Sequence, residues 1–262
     1  MHASEMFDLT DRVAIVTGGA GFLGRTIAET LGELGASVVI ADRRGDVCEQ
    51  AARELRAGGV DCTGAECDCT VAEQIDGLVD ETVMKRERLD VMVCCAGGSR
   101  TAPGTAQGSL RDFRETYERN VTATHLSVQA AARAMVPRRS GSIITVGSIH
   151  GTVTSDPRNY ENTSYVRSGP GYFASKGAVI SITRCFAADF GPYGITVNCL
   201  SPGYIPHEGT DEQMVETWRS RNALRRTGVR EDIKGAIALL ASPAGRWITG
   251  HNLVVDGGWT IW

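Results

Sequence analysis

The fold turns on the stretch Val13-Ala14-Ile15-Val16-Thr17-Gly18-Gly19-Ala20-Gly21-Phe22-Leu23-Gly24. Its first four residues form an unbroken apolar, largely β-branched run, as expected of a strand buried on both faces. From Arg25 to Gly35 the pattern is helical, with Ile27, Ala28, Leu31 and Leu34 on one stripe. Between strand and helix, Gly19, Gly21 and Gly24 satisfy G-x-G-x-x-G. Glycine there permits positive φ and lets the backbone approach a pyrophosphate, whose charge then sits at the positive end of the helix. Taken alone the pattern also fits a tight structural turn. Lying between strand and helix, it reads as a dinucleotide turn.

Working outward, the second strand ends in Ala41-Asp42, 18 residues past Gly24 and close to the ~20 expected for the acid that binds an adenosine ribose. Two like charges ~4 Å apart repel by roughly 4 kcal/mol at an effective dielectric of ~20, so a carboxylate there disfavours a 2′-phosphate. Asp42 therefore predicts NAD in preference to NADP. Arg43-Arg44 is the competing detail, read either as a phosphate ligand or as a solvated pair flanking a turn.

Further apolar runs recur at Val38-Val39-Ile40, Val91 to Cys94, Ile143 to Val146, Thr196-Val197-Asn198 and Leu253-Val254-Val255, separated by segments of helical period. This alternation predicts an α/β fold, a doubly wound parallel sheet with helices on both faces. No repeat and no Pro-, Ser- or charge-rich linker divides the 262 residues. The expectation is one domain over 1–262.

Lys and Arg number 27 against 31 Asp and Glu, a net charge of −4, which argues against nucleic acid or an anionic membrane as partner. A small molecule fits better. Eight cysteines in a chain whose start, Met1-His2-Ala3-Ser4-Glu5, has neither a basic stretch nor an apolar core point to reduced thiols in the cytoplasm. Cys67-Asp68-Cys69 resembles half a metal site, but no second Cys/His pair stands at zinc-like spacing, so no metal is expected.

Chemistry concentrates at Tyr172-Phe173-Ala174-Ser175-Lys176, where residues four apart share a helix face. An ammonium beside a phenol favours the phenolate and makes it a usable acid or base near neutrality. Val146-Gly147-Ser148 lies at the carboxyl end of a strand, where open α/β sheets bind their ligands. Ser148 is placed to hydrogen-bond a reacting oxygen, its other reading being a helix cap. Asn120, in a helical segment from Phe113 to Ala134, is either a proton-relay support or an amide satisfied in the core.

Together these residues resemble the short-chain dehydrogenase/reductase family, in its short single-domain branch. The likeness runs from Thr17 through Gly24, Asp42, Asp68, Cys94-Cys95-Ala96-Gly97, Asn120, Ser148, Tyr172-x-x-x-Lys176 and Asn198-x-x-x-Pro202-Gly203 to Val255-Asp256-Gly257-Gly258, nearly the whole chain. It implies a Rossmann-like sheet of about seven strands. It implies a tetrad in which Asn120 supports a proton relay, Ser148 orients the carbonyl or alcohol, Tyr172 transfers the proton and Lys176 binds the nicotinamide ribose while lowering the phenol's pKa. Gly18, Gly21, Phe22, Leu23, Gly24, Asp42, Arg43, Asp68, Cys69, Ala96, Gly97, Pro202, Gly203 and Ile205 are the further expected cofactor contacts. Ser148, His150, Tyr172 and Gly203 are the expected substrate contacts. A homo-oligomer, tetramer or dimer, is implied as well, and the tail Trp259 to Trp262 suits either a neighbour or its own core.

Three departures from the family pattern stand out. Phe22 occupies a position that is usually glycine. Cys95 replaces the asparagine that normally stitches neighbouring strands. Ser148 and Tyr172 are 24 positions apart, longer than usual, which marks an insertion at 152–171 beside the reaction centre. That insertion carries Asp156, Arg158, Asn159, Tyr160, Glu161, Asn162 and Arg167, and a lid matching the family's at 204–226 carries His207, Glu208, Asp211, Glu212 and Trp218. Both are rich in hydrogen-bonding groups, so a polar polyol, sugar or sugar-derived substrate is expected, and Gly98-Ser99-Arg100 offers a guanidinium for an anionic group. The leading expectation is NAD-dependent interconversion of a secondary alcohol and a ketone. The alternatives are an NADPH-dependent 3-oxoacyl-(acyl carrier protein)-type ketoreductase and a catalytically silent dinucleotide sensor.

Overall fold

The computed structural model describes residues 2–99, 108–161, 163 and 166–262. Seven parallel strands form one sheet: β1 (Val13–Thr17), β2 (Ser37–Asp42), β3 (Cys62–Glu66), β4 (Val91–Cys94), β5 (Gly141–Val146), β6 (Ile195–Pro202) and β7 (Asn252–Val255). Their order is β3-β2-β1-β4-β5-β6-β7. Chain direction across the sheet therefore reverses between β1 and β4, and such a switch point opens a crevice beyond the carboxyl ends of the strands.

Alternate residues of each strand face opposite layers. Ala14, Val16, Val38, Ile40, Val91 and Val93 pack with Ile27 and Leu31 of α1 (Phe22–Glu33), with Ala52 and Leu55 of α2 (Gly45–Ala57) and with the C-terminal Ile237 and Leu240. Ile15, Val39, Met92, Ile143 and Val197 pack with α3 (Ala72–Arg86) and with two further helices described below. Each fully buried Ile or Leu contributes roughly 2–3 kcal/mol of transfer free energy, so both layers are held to the sheet.

Six of the strands match the apolar runs of the sequence. β3, Cys-Thr-Gly-Ala-Glu, does not: it is the edge strand, and only Cys62 is fully buried. At the end of the sheet away from the crevice, the buried Asp90 accepts hydrogen bonds from the Val13 N–H at 3.0 Å and from the Arg12 and Arg88 guanidiniums at 3.2 and 2.7 Å. Burial alone raises a carboxyl's pKa; these donors outweigh it and hold Asp90 below the usual carboxylate range.

The remaining helices are α4 (Leu110–Tyr117), α5 (Ala123–Met135), α6 (Pro170–Phe190), α7 (Glu212–Arg221) and α8 (Lys234–Ala241). α4 and α5 continue through a single π-turn, Glu118–Thr122, where the sequence pattern reads as one helix. α6 begins with Pro170, pre-set for a helix's first turn. No helix among the described residues is long and apolar enough to cross a membrane.

Candidate active site

A cleft of about 780 Å³ lies along the carboxyl ends of β1 to β6. Its floor starts at the glycine turn, where Gly18 has φ +65° and a Cβ would come within 2.8 Å of the Ala96 backbone. Here the turn passes so close to the neighbouring loop that only glycine fits. Gly21 caps α1, whose first residue, Phe22, lines the cleft beside Leu23 and Gly24. The sequence thus produces the strand–turn–helix arrangement with phenylalanine rather than glycine at the helix start.

Asp42 and Arg43, at the end of β2, and Asp68 and Cys69, after β3, form the far wall. Partial burial works against the Asp68 carboxylate, but the Thr70 hydroxyl and N–H, helped by the Arg43 and Arg119 guanidiniums, hold its pKa below the ordinary value. Cys95, Ala96 and Gly97 follow β4 along the cleft. Where the family's asparagine stitch is missing, the Thr17 hydroxyl spans the strands instead, accepting from the Ala96 N–H at 3.3 Å and contacting the Val93 carbonyl at 3.4 Å. Burial pushes the Cys95 thiol up to about 11, against the pull of Lys176, so it is a protonated packing group at neutral pH.

Ser148, Tyr172, Lys176, Pro202 and Gly203 line the other end of the same cleft. Ser148 is 7% exposed, and its Oγ also accepts from the His150 N–H at 3.1 Å, so capping and cleft-lining coexist in one residue. On α6, the Lys176 ammonium donates to the Val146 carbonyl at 2.8 Å and lies 5.9 Å from the centroid of the Tyr172 ring. Four-residue spacing on one helix face brings amine and phenol together.

Asn120 sits behind the cleft wall, 1% exposed, in the π-turn. Its Oδ1 accepts from the Gly98 N–H at 2.8 Å, while Nδ2 donates to the Gly98 carbonyl at 3.1 Å and to the Ser175 hydroxyl at 2.9 Å. The amide is satisfied in the core and at the same time tied to the helix carrying Tyr172 and Lys176. Gly97 makes room for it, since a Cβ there would fall 2.5 Å from Asn120 Oδ1.

Two expected contacts, Ile205 and His150, are not part of the cleft's lining, although the His150 ring lies 6.2 Å from that of Tyr172. Ile205 lines a neighbouring hollow of about 170 Å³ with Asn222 and Asp232. His150 is packed among aromatic rings, 4.9 Å from Phe173 and 5.6 Å from Tyr204 between centroids, with Nε2 3.3 Å from the Tyr204 hydroxyl. Burial lowers its pKa, so the imidazole is neutral at pH 7.

Several polar groups of insertion and lid are paired within the protein, although the buried Asn159 Oδ1 has no hydrogen-bond partner among the described residues. Asp156 accepts from Arg158 at 2.7 Å and Arg221 at 3.3 Å, Arg167 donates to Ser155 at 2.8 Å, and Asp211 caps α7 through the Met214 N–H at 3.2 Å. Trp218 is 4% exposed and stacks on Tyr204 at 4.3 Å. Arg100 and Asn162 fall outside the described residues.

Arg114 and Arg119, which were not among the expected contacts, line the cleft from α4 and the π-turn. Arg119 lines the cleft while the next residue, Asn120, is buried behind its wall.

These features match known proteins along the whole chain. A family model described as enoyl-(acyl carrier protein) reductase matches residues 19–260. Secoisolariciresinol dehydrogenase of Forsythia intermedia is 32% identical over 97% of this chain and 90% of its own. Galactitol 2-dehydrogenase (L-tagatose-forming) of Cereibacter sphaeroides is 31% identical over 100% of both chains. The structure of a gluconate 5-dehydrogenase from Burkholderia cenocepacia J2315, in complex with NADP and tartrate, superposes with a TM-score of 0.90 at 31% identity and covers 100% of both chains. The chain belongs to the short-chain dehydrogenase/reductase family. It is an NAD(P)-dependent oxidoreductase acting on CH–OH groups of small molecules.

Proposed function

We propose that this enzyme uses NAD to oxidise a secondary alcohol of a polar polyol, sugar or sugar-derived substrate, or runs the corresponding ketone reduction. The observation that carries the reading is that Ser148, Tyr172 and Lys176 share one cleft with Asp42 at its opposite end. A nicotinamide dinucleotide held there would supply or accept the hydride. The residues present fit it: the turn at Gly18 leaves backbone room for a pyrophosphate at the start of α1, and Asp42 offers acceptors to free ribose hydroxyls.

The protein's own part is proton transfer and orientation. Tyr172 Oη takes the proton from the alcohol, or gives it to the ketone, while Ser148 Oγ hydrogen-bonds the same oxygen. Lys176, fixed by the Val146 carbonyl, places positive charge beside the phenol, and Asn120 keeps the wall in register with α6.

The galactitol and gluconate enzymes support a polar substrate, whereas relatives named as secoisolariciresinol, cyclohexanol and 7alpha-hydroxysteroid dehydrogenases keep other alcohols in play. The second reading, an NADPH-dependent 3-oxoacyl-(acyl carrier protein)-type ketoreductase, is favoured by one observation: Arg43 lines the cleft next to Asp42. A silent dinucleotide sensor would have no use for the phenol–amine pair. We further read residues 1–262 as one domain of a cytoplasmic protein, and as a homo-oligomer, the last supported by Trp247 and Trp262 being 96% and 78% exposed.

A panel of polyols, sugar acids, cyclic alcohols and their ketones, assayed with NAD(H) and NADP(H) by nicotinamide absorbance, tests this reading. Turnover of polyols with NAD supports it. Turnover confined to lipophilic ketones, or to NADPH with acyl thioesters, overturns it.

A further inference from the structure

Phe22 begins α1 with its ring turned outward: it is 40% exposed and lines the mouth of the cleft. Two groups from the C-terminal half of the chain converge on that ring. The imidazole of His207, in the lid, meets it edge-on, with centroids 6.4 Å apart and planes at 80°. The guanidinium of Arg230, first residue of a 3₁₀ turn running to Ile233, lies 5.5 Å from its centroid. Edge-on aromatic pairs and cations facing rings are attractive arrangements, because ring faces are negative and ring edges positive.

The base of the lid is anchored elsewhere. Tyr204 stacks on Trp218 at 4.3 Å and meets Trp259 edge-on at 4.7 Å, so the segment's start is fixed to α7 and the C-terminal tail. The chain runs without helix or strand from Gly203 to Asp211, with exposed residues at His207, Glu208 and Gly209. His207 is the residue of this exposed tip that reaches back to the cofactor turn. Its imidazole Nδ1 lies 2.8 Å from the Glu208 carbonyl, which fixes the ring's direction. Glycine at position 22 would remove the ring that both His207 and Arg230 contact.

We propose that Phe22 is a positioning residue that latches the lid across the phosphate end of the cleft, through His207 and Arg230, and so sets the rate at which the dinucleotide leaves. The proposal rests on the reading of the cleft as a nicotinamide cofactor site. Opening the lid tip separates the imidazole from the ring. Arg230, held against the same ring, keeps a cation alongside the end of α1 where the pyrophosphate charge is expected.

The test is stopped-flow release of NADH, followed by nicotinamide fluorescence, from the unmodified enzyme and from Phe22→Leu, Phe22→Trp, His207→Ala and the Phe22→Leu/His207→Ala double variant. Phe22→Leu and His207→Ala should each speed release roughly 3- to 10-fold. Phe22→Trp should restore slow release, and the double variant should release no faster than the faster single one, because both remove the same contact. Release that is unchanged in Phe22→Leu while NADH still binds, or effects that multiply in the double variant, overturns the latch. Failure of the unmodified protein to bind NADH at all overturns the cofactor reading, and the latch with it.

Discussion

The Asn120 side-chain amide donates to the Ser175 hydroxyl at 2.9 Å, and that hydroxyl donates in turn to the Tyr172 carbonyl at 2.8 Å. The π-turn and the first turn of α6 are thereby joined one residue before Lys176. Ser175 was not among the residues singled out by motif, yet it fixes the distance between the cleft wall and the phenol. Ser175→Ala leaves a buried amide donor without its partner, a loss of about 1 kcal/mol. Steady-state kinetics should show kcat reduced roughly fivefold with KM for the cofactor nearly unchanged. An equal loss in cofactor affinity would show instead that the whole wall has shifted.

Asp42 closes the end of the cleft opposite Tyr172. Removing its charge with Asp42→Ala takes away the repulsion toward a 2′-phosphate and the acceptors for ribose hydroxyls, and it leaves Arg43 beside the site. The ratio of kcat/KM for NAD over NADP should fall roughly 10- to 100-fold. An unchanged ratio would place the selector elsewhere.

Asp90 ties β1 to β4 far from the chemistry. Because its folded pKa is lowered, the unfolded chain binds more protons than the native one as pH falls through the carboxylate range. Its contribution is therefore present above about pH 4 and is lost below that as the native carboxylate protonates. Asp90→Asn should lower stability by about 2–3 kcal/mol at pH 7 in urea unfolding, since the partnering arginines are partly exposed. The gap between variant and parent should narrow toward pH 3, and a gap independent of pH would contradict the assignment.

What could be read from the sequence follows from how local each signal is. Gly18 to Gly24, Asp42 and the Tyr172/Lys176 pair depend on spacing within one turn, one strand end or one helix, and the structure brings them to a common cleft. β3 escaped because an edge strand needs little apolar pattern, and Cys62–Glu66 has almost none. Arg119 escaped because a lone arginine in a helical segment carries no motif, and only the packing of that segment decides which of its residues meet the cleft. Lid and insertion suggested a wall of free hydrogen-bonding groups. Loop polar side chains often satisfy their own backbone or each other first, as Asp211 does with α7 and Asp156 with Arg158 and Arg221. Seven strands and a doubly wound sheet were within reach of periodicity and family likeness, whereas the Thr17 bridge that replaces the missing asparagine required coordinates.

The central claim is that the Tyr172 phenol transfers the proton, and Tyr172→Phe tests it most directly. This substitution removes one oxygen and leaves the ring that lies 5.9 Å from Lys176. The account predicts that kcat falls by roughly 10²- to 10⁴-fold while NADH binding measured by fluorescence is retained. Turnover at the parental rate would contradict it.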